Sequence, residues 1–135
     1  MKFNRTLAYG LSCLQHLSEH ADQGWIETHH IASAQGLPES YCNKVLQSLV
    51  HARLVLSSRG RGFKLAKPLN DISAWEVMEA FTFNGAPPPD RKNASDKLYE
   101  SLRERVNRML AGLTLDEVVA SVQSQEERLE PKSDG

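Results

Sequence analysis

The sequence predicts a mainly α-helical chain carrying one small β-ribbon, an α+β arrangement in which helices do most of the packing. Three observations predict it. Apolar residues recur at spacings of three and four over most of the chain, the period of a helix with one buried face. Two short apolar runs, Leu54-Val-Leu56 and Phe63-Lys-Leu65, flank the turn formers Ser57-Ser-Arg-Gly-Arg-Gly62, as in a hairpin. A breaker run, Asn84-Gly-Ala-Pro-Pro-Pro-Asp90, then separates these elements from a long amphipathic helix.

Taken in order, Asn4 or Thr6 is placed to cap a first helix ending near His20, with Leu7, Leu11, Leu14 and Leu17 along one face. Gly10 inside it costs about 1 kcal/mol relative to alanine, and a residue that small lets another element come close. Ala21-Asp-Gln-Gly24 reads as a loop, and Trp25-Ile26 as a short extended piece able to pair with the ribbon. Thr28 is expected to cap a second helix that turns Ile31 and Ala32 inward. Gly36 supplies the turn, Leu37 plugs it, and Pro38 opens a third helix, where its missing N–H is harmless. On that helix Tyr41, Val45, Leu46, Leu49 and Val50 form the inward stripe, with Asn43, Lys44, Gln47 and His51 opposite. After the hairpin, Pro68 ends the ribbon and Asp71 is expected to cap a fourth helix, with Ile72, Trp75, Val77, Met78 and Phe81 mostly inward.

Ser95 or Asp96 starts the fifth helix. Its stripe is Leu98, Leu102, Val106, Met109 and Leu113, among the charged residues Glu100, Arg103, Glu104, Arg105 and Arg108. A single apolar seam on so charged a helix suits packing against a partner helix, each buried side chain contributing at most about 1.5–3 kcal/mol. Gly112 is expected to end it. Thr114-Leu-Asp-Glu117 has the capping-box form for a last short helix, and the polar chain beyond is expected to fray. The predicted layout is a winged helix-turn-helix over residues 1–84, a linker and dimerisation helix over 85–120, and a disordered tail over 121–135. No internal repeat is visible.

Charge locates the working surface. The net charge of −1 conceals an asymmetry: residues 1–67 carry eight Lys or Arg against four Asp or Glu, and residues 68–135 eight against thirteen. From Ser40 through Asn70 there is no acid at all, while Lys44, Arg53, Arg59, Arg61, Lys64 and Lys67 fall within that stretch. A basic half on an acidic support is the footprint of a nucleic-acid binder. The exposed half of the third helix is placed to enter a major groove, where Asn43 and Gln47 can bond adenine edges and Lys44 can reach guanine or phosphate. Arg59 and Arg61 on the ribbon tip suit phosphates or a narrow minor groove. The predicted DNA-binding set is Thr28, Ser40, Tyr41, Asn43, Lys44, Gln47, Arg59, Arg61 and Lys64. The alternative weighed against it is a winged-helix module that dimerises and binds protein, its basic face merely solvated.

With 40% hydrophobic residues the 135-residue chain can build a core, as one domain with an appendage or one small domain that dimerises. Two cysteines do not make a secreted disulfide framework. No run approaches the ~18 apolar residues of a membrane span, and Met1-Lys-Phe-Asn-Arg-Thr6 has no apolar signal-peptide core. The expected compartment is a reducing cytoplasm, with no membrane partner. There is no phosphate-binding glycine loop and no placeable acid pair or cysteine nucleophile, so no enzyme is expected.

The order of these pieces resembles one family. Tyr9-Gly-Leu11 with Leu14, Leu17 and Glu19-His20 is similar to a first helix of the bacterial winged-helix regulators that include iron–sulfur cluster regulators, nitric-oxide-sensing repressors and cysteine-metabolism repressors. Ile31-Ala32, Gly36-Leu37, Ser40-Tyr41, Leu46, Leu49 and Ala52-Arg-Leu-Val55 follow its helix-turn-helix. Gly62-Phe-Lys-Leu-Ala66 and Pro68 follow its wing. Asp71-Ile72, Val77-Met-Glu-Ala80 and Leu113-Thr-Leu-Asp116 follow its later helices. The resemblance implies a homodimeric repressor on a roughly palindromic operator, released by an effector the sequence does not name. The chain departs from the pattern in two ways. The sensing members hold a cluster on three cysteines between the post-wing and dimer helices, whereas Phe81 to Leu98 contains none, so no cofactor is expected. The wing tip is also shorter than the family's glycine-rich form.

Two smaller groups bear on sensing. Cys13, His16 and His20, at i, i+3 and i+7 and read as lying opposite the leucine stripe near Tyr9, are types that ligate zinc or copper. A polar outer or dimer-facing surface is the favoured alternative. His29-His30 reads as surface or phosphate-facing. Oxidation of Cys42, beside the presumed DNA contacts, would weaken binding, set against the favoured reading of a buried, inert thiol.

Overall fold

The computed structural model describes residues 5–83 and 94–129, without the side chains of 82–83 and 127–129. The breaker run at 84–90 and the chain from 130 lie outside the described residues. Among the described residues, six helices and one hairpin run in the order α1 (Arg5–Glu19), α2 (Thr28–Gln35), α3 (Glu39–His51), β1 (Val55–Ser58), β2 (Gly62–Leu65), α4 (Ala74–Met78), α5 (Ala94–Leu110) and α6 (Leu115–Leu129). Short 3-10 turns at Ala21–Gln23 and Leu69–Asp71 link them, and a π-helical turn at Glu79–Phe83 extends α4.

The buried face of α1 is Gly10, Cys13, Leu14 and Leu17, an i, i+3, i+4, i+7 set. Leu7 and Leu11 are only half-buried at its margin. Taking them as the centre of the stripe rotates the expected face, which is why the sequence places Cys13 outward whereas it lies in the core. The small residue at Gly10 has its reason here: a Cβ would sit 2.6 Å from Cζ of Phe81, so only glycine admits that ring against the helix.

α2 begins one residue earlier than expected. Thr28 is its first helical residue, and Glu27 holds the cap position without a side-chain capping bond. Ile26 explains the shift. It pairs with Phe63 through two backbone hydrogen bonds of 2.8 Å, and this keeps the chain extended up to Glu27. Gly36, left-handed at φ 66°, ends α2, and its N–H returns to Ala32 and Ser33. Pro38 precedes α3, whose Cys42, Val45, Leu46 and Leu49 are buried.

The end of α3 sets up the wing. The Arg53 N–H bonds to the Val50 carbonyl (2.9 Å) and the Leu54 N–H to that of Leu49 (3.0 Å), a Schellman closure. Its left-handed position, normally glycine, is held by Arg53 at φ 64°. Arg53→Gly is therefore expected to raise stability by about 1 kcal/mol, read as a higher urea midpoint at unchanged slope. β1 and β2 then pair antiparallel, from Val55 with Leu65 to Ser58 with Gly62. Leu54 lies just outside β1 because its N–H serves the helix closure, although its carbonyl still accepts from Ala66 at 3.0 Å.

Asp71 does not cap α4. It closes the 3-10 turn, Ile72 runs extended, and the Ser73 hydroxyl accepts the Glu76 N–H at 3.1 Å. The start of α6 is stitched to the same place: Ala74 donates to the Leu113 carbonyl (2.8 Å) and Leu115 to that of Ile72 (2.9 Å). This pairing draws the chain out of α5 at Leu110, before Gly112, and leaves Leu113 half-buried outside the helix. The Thr114 hydroxyl donates to the Asp116 carboxylate. α6 is a fifteen-residue helix, longer than expected, and stays helical through Leu129 into the segment predicted to be a disordered tail. Buried Leu115 and half-buried Val118 and Val119 anchor it on the core, and the Gln- and Glu-rich turns that follow have good helix propensity.

One core joins α1, α2, α3, the ribbon, Ile72, Val77 and Leu115. α5 adds no buried residue. It is tied on by Arg103, which bonds Glu79 at 2.7 Å and lies 5.3 Å from the Trp75 ring centre. Among the described residues, no helix is long and apolar enough to cross a membrane.

Candidate nucleic-acid interface

Burying Cys42, Val45, Leu46 and Leu49 fixes the rotation of α3, and helical geometry then turns Ser40, Asn43, Lys44, Gln47 and His51 outward, all exposed. Two anchors hold the start of the helix. The Tyr41 hydroxyl shares a 3.0 Å hydrogen bond with that of Thr6, and its ring stands edge-on to Tyr9 with centres 5.7 Å apart. Tyr41 is thus half-buried and turned toward α1, as its place on the inward stripe predicts, and away from the outer face that the predicted DNA-binding set counts it on. It anchors the start of α3 to α1.

The wing turns at Arg59-Gly60-Arg61, where Gly60 has φ 81° and the Arg61 N–H reaches the Ser58 carbonyl at 3.0 Å. Arg59 and Arg61 are both exposed. Lys64 is half-buried, its ammonium 4.6 Å from the centre of the Trp25 ring. A cation over an indole face contributes roughly 0.5–1 kcal/mol at such a site. Trp25 therefore belongs to this surface, although it is absent from the set the sequence predicts. Its only signal there is a bulky aromatic beside a strand-like Ile26, which the Ile26–Phe63 pairing converts into proximity to the wing. Thr28 is half-buried at the start of α2.

Among the described residues, Lys44, Arg53, Arg59 and Arg61 make no ion pair, whereas Lys67 is paired with Glu76 at 2.8 Å. Within the acid-free stretch, the unpaired cations therefore lie on α3, at its end and on the wing, and Lys67 belongs to the joint with α4. The His29 ring lies tilted against that of His30, with centres 4.4 Å apart, and faces Glu27 at 3.1 Å on the exposed surface.

The remaining predicted groups lie elsewhere. Leu98, Leu102 and Met109 on α5 are 73%, 62% and 78% exposed, so this chain leaves the stripe uncovered, and Val106 is half-buried. His16 and His20 stack with ring centres 4.2 Å apart, and the His20 Nδ1 lies 2.9 Å from the His16 carbonyl oxygen. Burial first, and then His20, holds His16 below the usual imidazole range. Cys13 faces the core and does not join them. Among the described residues, no group of three or more His, Cys, Asp or Glu is placed to hold a metal.

Comparison with known proteins agrees with this fold. Residues 3–121 match the family described as Rrf2, iron-dependent transcriptional regulator. Over 80 residues the chain is 32% identical to a Mycobacterium tuberculosis protein named an HTH-type transcriptional regulator, covering 58% of this chain. The chain spans about half the length of the curated relatives it matches in this way. It is 25% identical over 132 residues to the HTH-type transcriptional regulator CymR of Bacillus subtilis, covering 94% of this chain and 96% of that one. The structure of CymR, the global cysteine regulator of B. subtilis, superposes with a TM-score of 0.64 over 89% of this chain and 97% of that one, at 24% identity, which shows a shared fold.

Proposed function

The chain belongs to the Rrf2 family of transcriptional regulators, and from that premise we propose that it is a homodimeric repressor that reads a roughly palindromic DNA operator. The observation that carries this reading is the exposed, acid-free face formed by Asn43, Lys44 and Gln47 on α3 with Arg59 and Arg61 on the wing. α3 supplies amide side chains for base edges, and the wing supplies guanidinium groups for backbone phosphates. A second copy, joined through the open α5 stripe, would bring its own α3 to the next major groove about one helical turn away. Bound over a promoter in the cytoplasm, such a dimer excludes polymerase, and a separate signal releases it.

The family description names iron, and the donor set of this chain does not fit a thiolate-bound cluster. The sequence holds two cysteines in all, and both are buried among the residues of the helix-turn-helix core. The stretch from Phe81 to Leu98 contains neither cysteine nor histidine. We therefore assign repression to the protein without a cluster. An anaerobically purified sample is expected to lack the visible absorption of a cluster and near-stoichiometric iron, and finding both would overturn this assignment.

The DNA contacts are tested by titrating labelled duplex across a salt series. Binding of the parent should weaken steeply as salt rises, because contacts to phosphate release counterions. Arg61→Ala should weaken binding to all sequences alike and lower the salt slope by about one. Gln47→Ala should keep the slope and relax preference at one base pair, by about 1–3 kcal/mol of discrimination. A flat salt response in the parent would remove the DNA reading, and two mutants that bind like the parent would remove the residue assignments.

A further inference from the structure

A cleft of about 150 Å³ opens between α1 and α6. The turn Leu69–Asp71 packs on both helices, and Leu69 forms the floor. Leu11 lines the cleft from α1. Leu115, Val118, Val119 and Val122 line it from α6, an i, i+3, i+4, i+7 face of that helix. Leu69 and Leu115 are buried at the bottom, whereas Val122 at the mouth is 48% exposed. Valine at three of these four helix positions is what leaves the space, because longer side chains would fill it. Polar groups come from one wall. Ser12 and Gln15 on α1 border the cleft, and the Gln15 Nε2 donates to the Glu19 carboxylate at 3.2 Å. That bond holds the amide by its donor end and leaves Oε1 to accept.

We propose that this cleft is the effector site, and that it takes a neutral molecule of one six-membered ring bearing a single O–H or N–H donor. The proposal rests on the repressor reading above. Size sets the ring: an aliphatic cavity of about 150 Å³ stays dry and holds a benzene-sized guest. Charge sets the rest. No described side chain lining the cleft is charged, so an ion entering it would lose its hydration with nothing to replace it. The Glu19 carboxylate, bonded to the polar wall, opposes an anion in particular. The acceptor that Gln15 offers on the same wall calls for a donor on the ligand.

The place of the cleft connects it to DNA binding. One wall, α1, carries Tyr9, whose ring meets Tyr41 at the start of α3. The other wall, α6, follows directly on α5 through Ala111 to Thr114. The recognition helix thus belongs to one side of the cleft, and the proposed joint between copies to the other. Backbone bonds from Ala74 to Leu113 and from Leu115 to Ile72 pin the start of α6. Packed side chains do not compress, so a ring seated in the cleft swings α6 about that pinned start, and the turn that joins it to α5 swings with it. In a dimer this changes the spacing of the two α3 helices, on which binding to a palindromic operator depends. An isolated half-site has no such spacing to lose.

The test titrates the full-length protein with phenol and follows its methyl resonances. Saturable shifts are expected at Leu11, Val118 and Val119, with a Kd on the order of 10⁻⁴ M, as suits a ligand so small. Benzoate, the same ring with a carboxylate, should leave them unmoved. At saturating phenol, affinity for a full operator should fall about tenfold, within the range of ordinary allosteric couplings, while affinity for a half-site stays the same. Val119→Phe fills the cleft and should bind the operator like the parent, with or without phenol. Should that variant fold poorly, Gln15→Leu keeps the space and removes the acceptor, and it should weaken phenol about tenfold without affecting benzene. Phenol that moves no methyl of the cleft, or that saturates it with full-operator affinity unchanged, would overturn the proposal. So would phenol binding confined to a monomeric Leu102→Asp variant, because a second copy then covers the cleft. Failure of the parent to bind any duplex would instead remove the DNA reading, and the methyl shifts alone would still decide whether the cleft takes the ring.

Discussion

Replacing Gly62 with alanine is expected to lower stability by about 3 kcal/mol or more and to release the wing from the body of the fold. Gly62 has φ +110°, a conformation that costs an L side chain heavily wherever it occurs. Space is the second obstacle. An added Cβ would press on the Ile26 carbonyl oxygen and lie 2.8 Å from the Glu27 amide nitrogen. Both are backbone atoms. They can retreat only by breaking the Ile26–Phe63 pair, whose two hydrogen bonds each contribute roughly 1 kcal/mol. Gly60, two residues away at φ +81°, is open: a Cβ added there would meet nothing within 4 Å. Alanine at that position should cost only the conformational term, about 1 kcal/mol. Urea unfolding of the two variants checks this, and equal losses would show that the close approach to Ile26 contributes nothing. Binding to duplex should fall in the Gly62 variant at temperatures where it is still folded, because Arg59 and Arg61 lose their fixed relation to α3.

This contrast also shows which parts of the molecule are legible in the sequence. Gly36 and Gly60 sit where turn chemistry alone calls for glycine, and both are readable as turns. Gly10 and Gly62 answer to neighbours distant in the chain, Phe81 and Ile26, so their reasons emerge only from the packed structure. The outward set on α3 follows from helical period, because four buried residues fix the rotation of a single helix. The same reasoning fails on α1, where two marginal leucines displace the inferred face and put Cys13 on the wrong side. That Cys13 and Cys42 end in the same core depends on how α1 packs on α3, which no local spacing encodes. The caps expected at Thr28 and Asp71 are misplaced for a related reason. Backbone pairing of Ile26 with Phe63, and of Ile72–Ala74 with Leu113–Leu115, decides where the neighbouring helices begin.

Leu102→Asp is expected to leave the chain folded and yet reduce operator affinity by a factor of about 10²–10⁴. The first half follows from exposure. Leu102 is 62% exposed, its neighbours on the stripe Leu98 and Met109 are more so, and α5 has no buried residue, so a charge there disturbs nothing in the chain's own core. The attachment of α5 to α4 runs through Arg103, Glu79 and Trp75 on another side of the helix and should persist. The second half follows from what the stripe would otherwise do. Three large apolar side chains exposed in one row on a charged helix are the mark of a surface that another chain covers. Facing copies of Leu102 would place two carboxylates in a dry seam, and the desolvation penalty would split the pair. Each monomer could then hold only one half-site, and the gain from tethering two recognition helices disappears. Sedimentation at micromolar concentration reads the first effect, and anisotropy on a full operator beside an isolated half-site reads the second. Parent and variant should bind the half-site alike and differ only on the full operator. A parent that sediments as a monomer, or a variant that remains a dimer with undiminished affinity, would show that α5 is not where two copies join.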